Sequence, residues 1–321
     1  MTQAFRGAAL ALLAAVSLSA LAQGYPSRPV TIVVPYPPGG LIDLVARIVQ
    51  PGLQRDLGQP VVVENRAGAG GNIGAEFVAR ANADGHTLLL ANPSLGLSQH
   101  IYPKLAYRPL QDFAYVGQYG IVPNVLVVRP DLPVKSVPEL IAYARKNPGK
   151  LNYASNGYGT SPQMSMELFK AMSGTFIVHI PFRGSGPAVA SLLAGETDLM
   201  FDNLPPVLPQ IRAGKMRALA VTSTARSSVA PELPTLDESG LKGYEVTAWF
   251  GLAAPAATPR DVVNRLNQAL NRTTADPQVR GDLVGRGATV LQGTPEQFAA
   301  FVKAEIEKWG PVVKRAGVTA E

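Results

Sequence analysis

Short β-branched and aliphatic runs alternate along the chain with segments in which apolar residues recur every three or four positions. The runs 30–36 (VTIVVPY), 60–65 (PVVVEN), 86–92 (HTLLLAN), 151–155 (LNYAS), 176–182 (FIVHIPF), 198–203 (DLMFDN) and 217–223 (RALAVTS) read as buried strands. Helical patterns lie between them, so the class is α/β with parallel sheets. After the first strand, Leu41, Leu44, Val45, Ile48, Val49 and Leu53 repeat at the spacing of one buried helix face, with Arg47, Gln50 and Gln54 outward. Asp43 falls in the first turn of that helix, where a carboxylate can cap free N–H groups or meet a ligand.

The joints between strands and helices share one chemistry. "PYPPGG" (35–40) joins the first pair; proline fixes φ and removes a donor, while glycine opens conformations closed to other residues. "NGYGTSP" (156–162) opens a second helix, with Ser161 expected at the N-cap and Pro162 as the first helical residue. "RGSGP" (183–187) opens a third, closed by Gly195, and "LPPVLPQIRAG" (204–214) follows "LMFDN" and closes on Gly214. Such turns lie at the carboxyl ends of the strands, where open α/β sheets bind ligands, and glycine lets backbone N–H groups approach an anion. Each is ordinary punctuation alone; their repetition points to one carboxylate-bearing ligand.

Length and charge narrow the reading. With 321 residues, 46% of them hydrophobic and 16% charged, the chain suits two globular domains. Residues 1–22 read as a secretory signal peptide: Arg6, an apolar run over 8–16, and Ala20-Leu21-Ala22, with cleavage after Ala22. The formal charge of +6 becomes +5 without Arg6, and it is scattered, so no nucleic-acid surface is expected. The chain has no cysteine, and its three histidines stand apart, so neither a metal site nor a cofactor is expected. Glycines 68, 70, 71 and 74 approach the dinucleotide fingerprint, but Ile73 stands where it needs glycine. No G-x-S-x-G elbow exists, and Ser185 has no evident His and carboxylate partners. An enzyme is not expected.

"PYPPGGLIDLVARIV", "VVVENRAGAGGNIGAEFVARANADGHTLLLAN", "HIPFRGSGPAVASLLAGETDLMFDN" and "RALAVTSTARSSVAPELPTLDESG" resemble the Bug-type, or tripartite tricarboxylate transporter, family of periplasmic substrate-binding proteins over essentially the whole mature chain. The resemblance implies a two-domain periplasmic-binding-protein fold (type II-like), each domain a mainly parallel sheet flanked by helices. Domain one would take residues 25–122 and 248–321 and domain two 123–247, joined by hinge crossovers near "GIVPNVLV" and "VTAWFGL". Trp249, beside the second crossover, reads as core. The implied function is capture of a small organic mono- or dicarboxylate in the periplasm by a monomer that delivers it to integral-membrane transporter subunits. A sensor presenting its bound carboxylate to a signalling partner is the alternative.

Carried over by position, the first jaw of the clamp is Tyr36, Pro38, Gly39, Gly40 and Asp43, with Asn92 and Ser94 on the neighbouring strand end. The second is Ser155, Asn156, Gly157, Tyr158, Thr160 and Ser161. Pro181, Phe182, Arg183 and Gly184 stand where the family more often has "PYKG", and Ser185 follows; Arg183 can hold a second carboxylate bidentately or pack on the surface. Asp202 and Asn203 match a "DN" pair at the cleft edge. Gln163 stands where the family often has His, and the Tyr158 phenol can receive an aromatic ring or cover the cleft.

Overall fold

The computed structural model describes residues 24–320; the expected signal peptide, residues 1–22, lies outside them. In chain order the elements are β1 (Val30–Val34), α1 (Leu41–Leu57), β2 (Val61–Asn65), a 3-10 turn (Ala69–Gly71), α2 (Asn72–Ala79), β3 (Thr87–Ala91), α3 (Pro93–Ile101) and β4 (Phe113–Val128). Then come α4 (Val137–Lys146), β5 (Asn152–Ser155), α5 (Ser161–Ser173), β6 (Val178–Pro181), α6 (Ser185–Leu193), β7 (Leu199–Asn203), α7 (Leu204–Arg212) and β8 (Arg217–Val221). The chain returns through β9 (Thr247–Pro255), α8 (Arg260–Ala275), α9 (Pro277–Val284), β10 (Thr289–Val290) and α10 (Pro295–Ala316). No helix among the described residues is long and apolar enough to cross a membrane.

The strands follow the order β2-β1-β3-β9-β4-β7-β5-β6, with β8 and β10 also paired to β4. Parallel pairing holds for β1 with β2 and β3, and for β5 with β6 and β7. The expected crossovers are themselves strands, and they run antiparallel to their neighbours: β9 joins β3 to β4, and β4 continues to β7 and β8. At the crossing, Val122 faces Ala248 and Pro123 faces Thr247. One 16-residue strand thus serves both halves of the sheet.

Apolar packing divides along the same line. Val30, Ile32, Val45, Val49 and Phe250 share one core, backed by a layer around Leu89, Trp249 and Phe298. Tyr153, Met164, Phe169, Phe201 and Tyr244 share another, with Val125, Met200 and Val207 on the sheet's other face. Helix α10 spans the boundary: Phe298, Val302 and Ile306 pack with the first group, Trp309 and Val313 with the second. Segments 60–65 and 176–182, expected as buried strands, are corrected: β2 and β6 lie at the two sheet edges, with Val62, Phe176, Val178 and Ile180 exposed. An apolar run reads alike at an edge and in a centre, because only pairing on both sides distinguishes them.

Candidate functional site

The strand-to-helix turns converge on a cavity of about 80 Å³. At roughly 10–15 Å³ per water centre this holds several waters, the scale of a small organic acid. Tyr36, Pro38 and Gly40 come from the β1–α1 turn, Asn92 from the end of β3, and Asn156, Thr160 and Ser161 from the β5–α5 turn. Arg183, Gly184 and Ser185 come from the β6–α6 turn, and Asn203 from the end of β7. Pro37, Leu41, Ile42, Pro93, Pro162, Gly186 and Pro187, not named as site residues from the sequence, line the same cavity within two residues of named positions. Ala248 on β9 carried no signal in the sequence at all.

Five helices begin here, and they differ in what their first N–H groups do. Asn92 caps α3 by accepting from Ser94 N at 3.1 Å, and Thr160, not Ser161, caps α5. By contrast α1, α6 and α7 have no side-chain cap. In α7, Pro205 and Pro206 remove two of the donors. Helices α1 and α6 keep their first N–H groups, those of Leu41 and Ile42 on one side and Ser185 and Gly186 on the other, with no side-chain cap among the described residues. They face each other closely: a Cβ built on Gly40 would lie 4.0 Å from Ser185 Cβ. Two opposed helix N-termini with uncapped donors suit an anion.

The first jaw is braced from behind. Asp43 is buried and does not line the cavity; its carboxylate accepts from Gly39 N at 3.1 Å, Asn65 Nδ2 at 3.0 Å and Arg47 Nε at 3.0 Å. Burial raises its pKa, but these hydrogen bonds outweigh that and hold it below the usual carboxylate range. Of the two expectations for Asp43, N–H capping is the one that describes it, though through Gly39 N just ahead of the helix: it ties the turn down, holding Gly39 at φ +91°, a conformation that favours glycine. The Tyr36 hydroxyl donates to the Gly70 carbonyl at 3.0 Å and lies 2.8 Å from Ser94 Oγ, which donates to Asn92 Oδ1 at 2.7 Å. Ser94 therefore sits one layer behind the cavity wall.

The second jaw is braced likewise. Thr160 Oγ1 donates to Gly157 O at 2.8 Å, so its proton is spent within the turn. Gln163, wholly buried, accepts from Gly159 N at 2.7 Å. Ser155 Oγ accepts from Gly157 N at 3.3 Å and meets His179 Nε2 at 2.6 Å. Burial, with Lys170 adding to it, pushes His179 down to about 4, so it is neutral at pH 7. Gly157 and Tyr158 line a second hollow of about 640 Å³, which shares Tyr36, Pro37, Asn156, Arg183 and Gly184 with the first. Beneath the jaw, buried Asn124 accepts from Asn203 Nδ2 at 2.5 Å and donates to Ser165 Oγ at 2.8 Å. A lone asparagine in the apolar run "GIVPNVLVV" is a signal that sequence reasoning missed.

Charges are sparse. Arg183 is exposed at the junction of the two hollows and forms no ion pair or hydrogen bond among the described residues. Asp202 is fully buried behind Ser185, whose hydroxyl bonds Asp202 Oδ2; Asn156 Nδ2 at 2.7 Å and Asn203 N at 2.8 Å hold Oδ1. Trp249 is core, edge-on to Phe298 and Phe301. His86 and His100 sit apart, against Asp84 and the Ile306 carbonyl. No group of three or more His, Asp or Glu residues among those described is placed to hold a metal ion.

Residues 45–318 match the model of the tripartite tricarboxylate transporter family receptor. Protein BugT of Bordetella pertussis is 40% identical over 306 residues, covering 95% of this chain and 94% of its own. A solved R. palustris protein with adipate superposes with a TM-score of 0.89 at 39% identity, over 92% of this chain and 99% of that one. MatC from Rhodopseudomonas palustris, with bound malate, gives 0.85 at 38% identity, over 90% and 100%.

Proposed function

This chain belongs to the tripartite tricarboxylate transporter receptor family, a family of solute-binding receptors and not of enzymes, and from that premise we propose that it captures a small organic mono- or dicarboxylate in the cavity between the jaws. It does so in the periplasm and delivers the acid to the integral-membrane subunits of a tripartite transporter. The observation that carries the reading is the opposition of α1 and α6, whose uncapped N–H groups and dipoles meet across a cavity scaled to such an acid. Adipate and malate in related structures support the ligand class. The domains would divide at the β4–β9 crossing into 25–122 with 248–321, and 123–247, closing on the ligand because it contacts both.

A thermal-melting screen tests this. Adipate or malate at 100 times its dissociation constant is expected to add about 2.7 kcal/mol. For a chain of this size that is roughly 5–10 °C. A melting point unmoved by any carboxylate but raised by a sugar or nucleotide would sink the reading.

Arg183 reads the far end of the ligand, which supports a preference for diacids. Charge-assisted hydrogen bonds contribute about 1.5–3 kcal/mol, so Arg183→Ala is expected to weaken a dicarboxylate about tenfold or more and a monocarboxylate less than twofold. Titration calorimetry with matched mono- and diacids checks it; equal losses would remove the role.

A further inference from the structure

An anion receptor has little evident use for a buried carboxylate beside its binding cavity. Asp202 is fully buried, yet among the described residues no cation pairs with it: Ser185 Oγ, Asn156 Nδ2 and Asn203 N are its partners. The ionisable groups on surrounding elements do not compensate it. Helix α6 has none, and α7 has only Arg212, at its far end, bonded to the Val229 carbonyl. On β4 they are Tyr115 and Tyr119; on β5, Tyr153, bonded to Glu167 of α5, which pairs with Lys170. Neutral His179 lies behind Ser155, Tyr158 stands on the β5–α5 turn, and Arg183 is exposed on the β6–α6 turn. Across the cavity, Asp43 is bound to Arg47.

We propose that Asp202 is a proton-binding site coupled to ligand capture, taking up one proton from solvent with each anion bound and thereby reversing the Ser185 hydroxyl from acceptor to donor toward the ligand. This rests on the carboxylate-receptor reading. Two N–H groups already occupy Oδ1, so an added proton resides on Oδ2, the atom that meets Ser185. While Asp202 is ionised, Ser185 spends its single proton on Oδ2 and turns lone pairs to the cavity, where they repel a ligand carboxylate. Once Asp202 is protonated it donates to Ser185 Oγ, and the serine proton is free for the ligand. Burial pushes Asp202 up to about 6 despite its hydrogen bonds, so near neutral pH the free protein is mostly ionised there and a nearby anion draws the proton on.

The test is calorimetry with adipate and malate from pH 6.5 to 8.5, where the acids stay ionised, in buffers of different ionisation enthalpy. Affinity is expected to fall about tenfold between pH 6.5 and 7.5, with close to one proton taken up at pH 7. Asp202→Asn copies the protonated form, its amide oxygen accepting from Asn156 and Asn203 and its NH₂ donating to Ser185. It should bind at pH 8 at least about tenfold more tightly than the native protein, with no pH trend and no proton uptake. Flat affinity with no proton uptake in the native protein, or an unchanged slope in Asp202→Asn, overturns the coupling and leaves the receptor reading standing. Failure of both acids to bind at any pH overturns the receptor reading and the coupling with it. Should Asp202→Asn fail to fold, Ser185→Ala should lose more affinity at pH 6.5 than at 8.5; equal loss counts against the proposal. In the ligand-free protein a raised carboxyl pKa gives stability fully present below the unfolded value of 3.8 and lost as pH rises through about 6; Asp202→Asn should lack that component.

Discussion

Ser161→Asp is expected to abolish the response to adipate and malate while the protein stays folded. Ser161 is the first residue of α5 and lines the cavity, and its hydroxyl lies 3.2 Å from Asn203 Nδ2. An aspartate there keeps that donor and gains the positive end of the helix dipole, so the free protein tolerates it. A ligand carboxylate would then approach a fixed negative charge within a few ångströms. At about 4 Å and an effective dielectric constant near 20 the repulsion is about 4 kcal/mol, a loss of roughly a thousandfold. Melting curves with and without each acid check both halves: a native-like melting point and no ligand shift are expected. A variant that still responds to either acid would mean that the anion sits elsewhere.

Gly70→Val is expected to weaken adipate or malate binding by about a hundredfold or more, through closure and without touching the anion. The 3-10 turn holding Gly70 packs on the opposite jaw: a Cβ there would lie 2.6 Å from the Tyr158 carbonyl oxygen and 2.7 Å from the Tyr102 hydroxyl. Neither side retreats freely. The Gly70 carbonyl accepts from Tyr36, and the neighbours of Tyr158 are pinned through Gly157 N and Gly159 N. The jaws with valine at 70 therefore stop short, and the ligand loses one set of contacts; about 3 kcal/mol corresponds to a hundredfold. Gly58→Val is the control, since Gly58 has a similar left-handed conformation (φ +69° against +64°) and nothing near its Cβ position. Scattering should show the native protein compacting with adipate or malate and Gly70→Val keeping its ligand-free dimensions. Equal affinities for the two valine variants would refute the contact's role.

The β-branched runs announced β1, β3, β5 and β7, because a strand enclosed by neighbours needs little but bulk at successive positions; β2, at a sheet edge, and β8, paired among the strands to β4 alone, carry the same bulk without that enclosure. Strand β4 went unread as a strand for an equally physical reason. Pro123 and Gly117 and Gly120 break the pattern that signals sheet, and they are tolerated because the pairing changes partner at Pro123 and shifts register around both glycines. In the site, the turns were visible as punctuation, since proline and glycine leave a mark wherever they set the backbone. Their division of labour was not visible. That Asp43 braces Gly39 depends on Asn65 and Arg47 arriving from two other directions. That Asp202 lies behind Ser185 depends on three turns converging, and a linear order does not encode their distances.

Helix α10 changes what kind of machine two jaws can be. Two strands alone would leave the second core free to swing and also to twist about the crossing, like a gate on a single post. With Phe298 and Val302 anchored in one core and Trp309 and Val313 in the other, the helix is a third strap across the same gap. Pro311, inside the helix and between its second pair of anchors, weakens the strap where it grips the second core. Closure of the kind proposed above would then follow one arc of travel and bring the uncapped ends of α1 and α6 back to the same alignment.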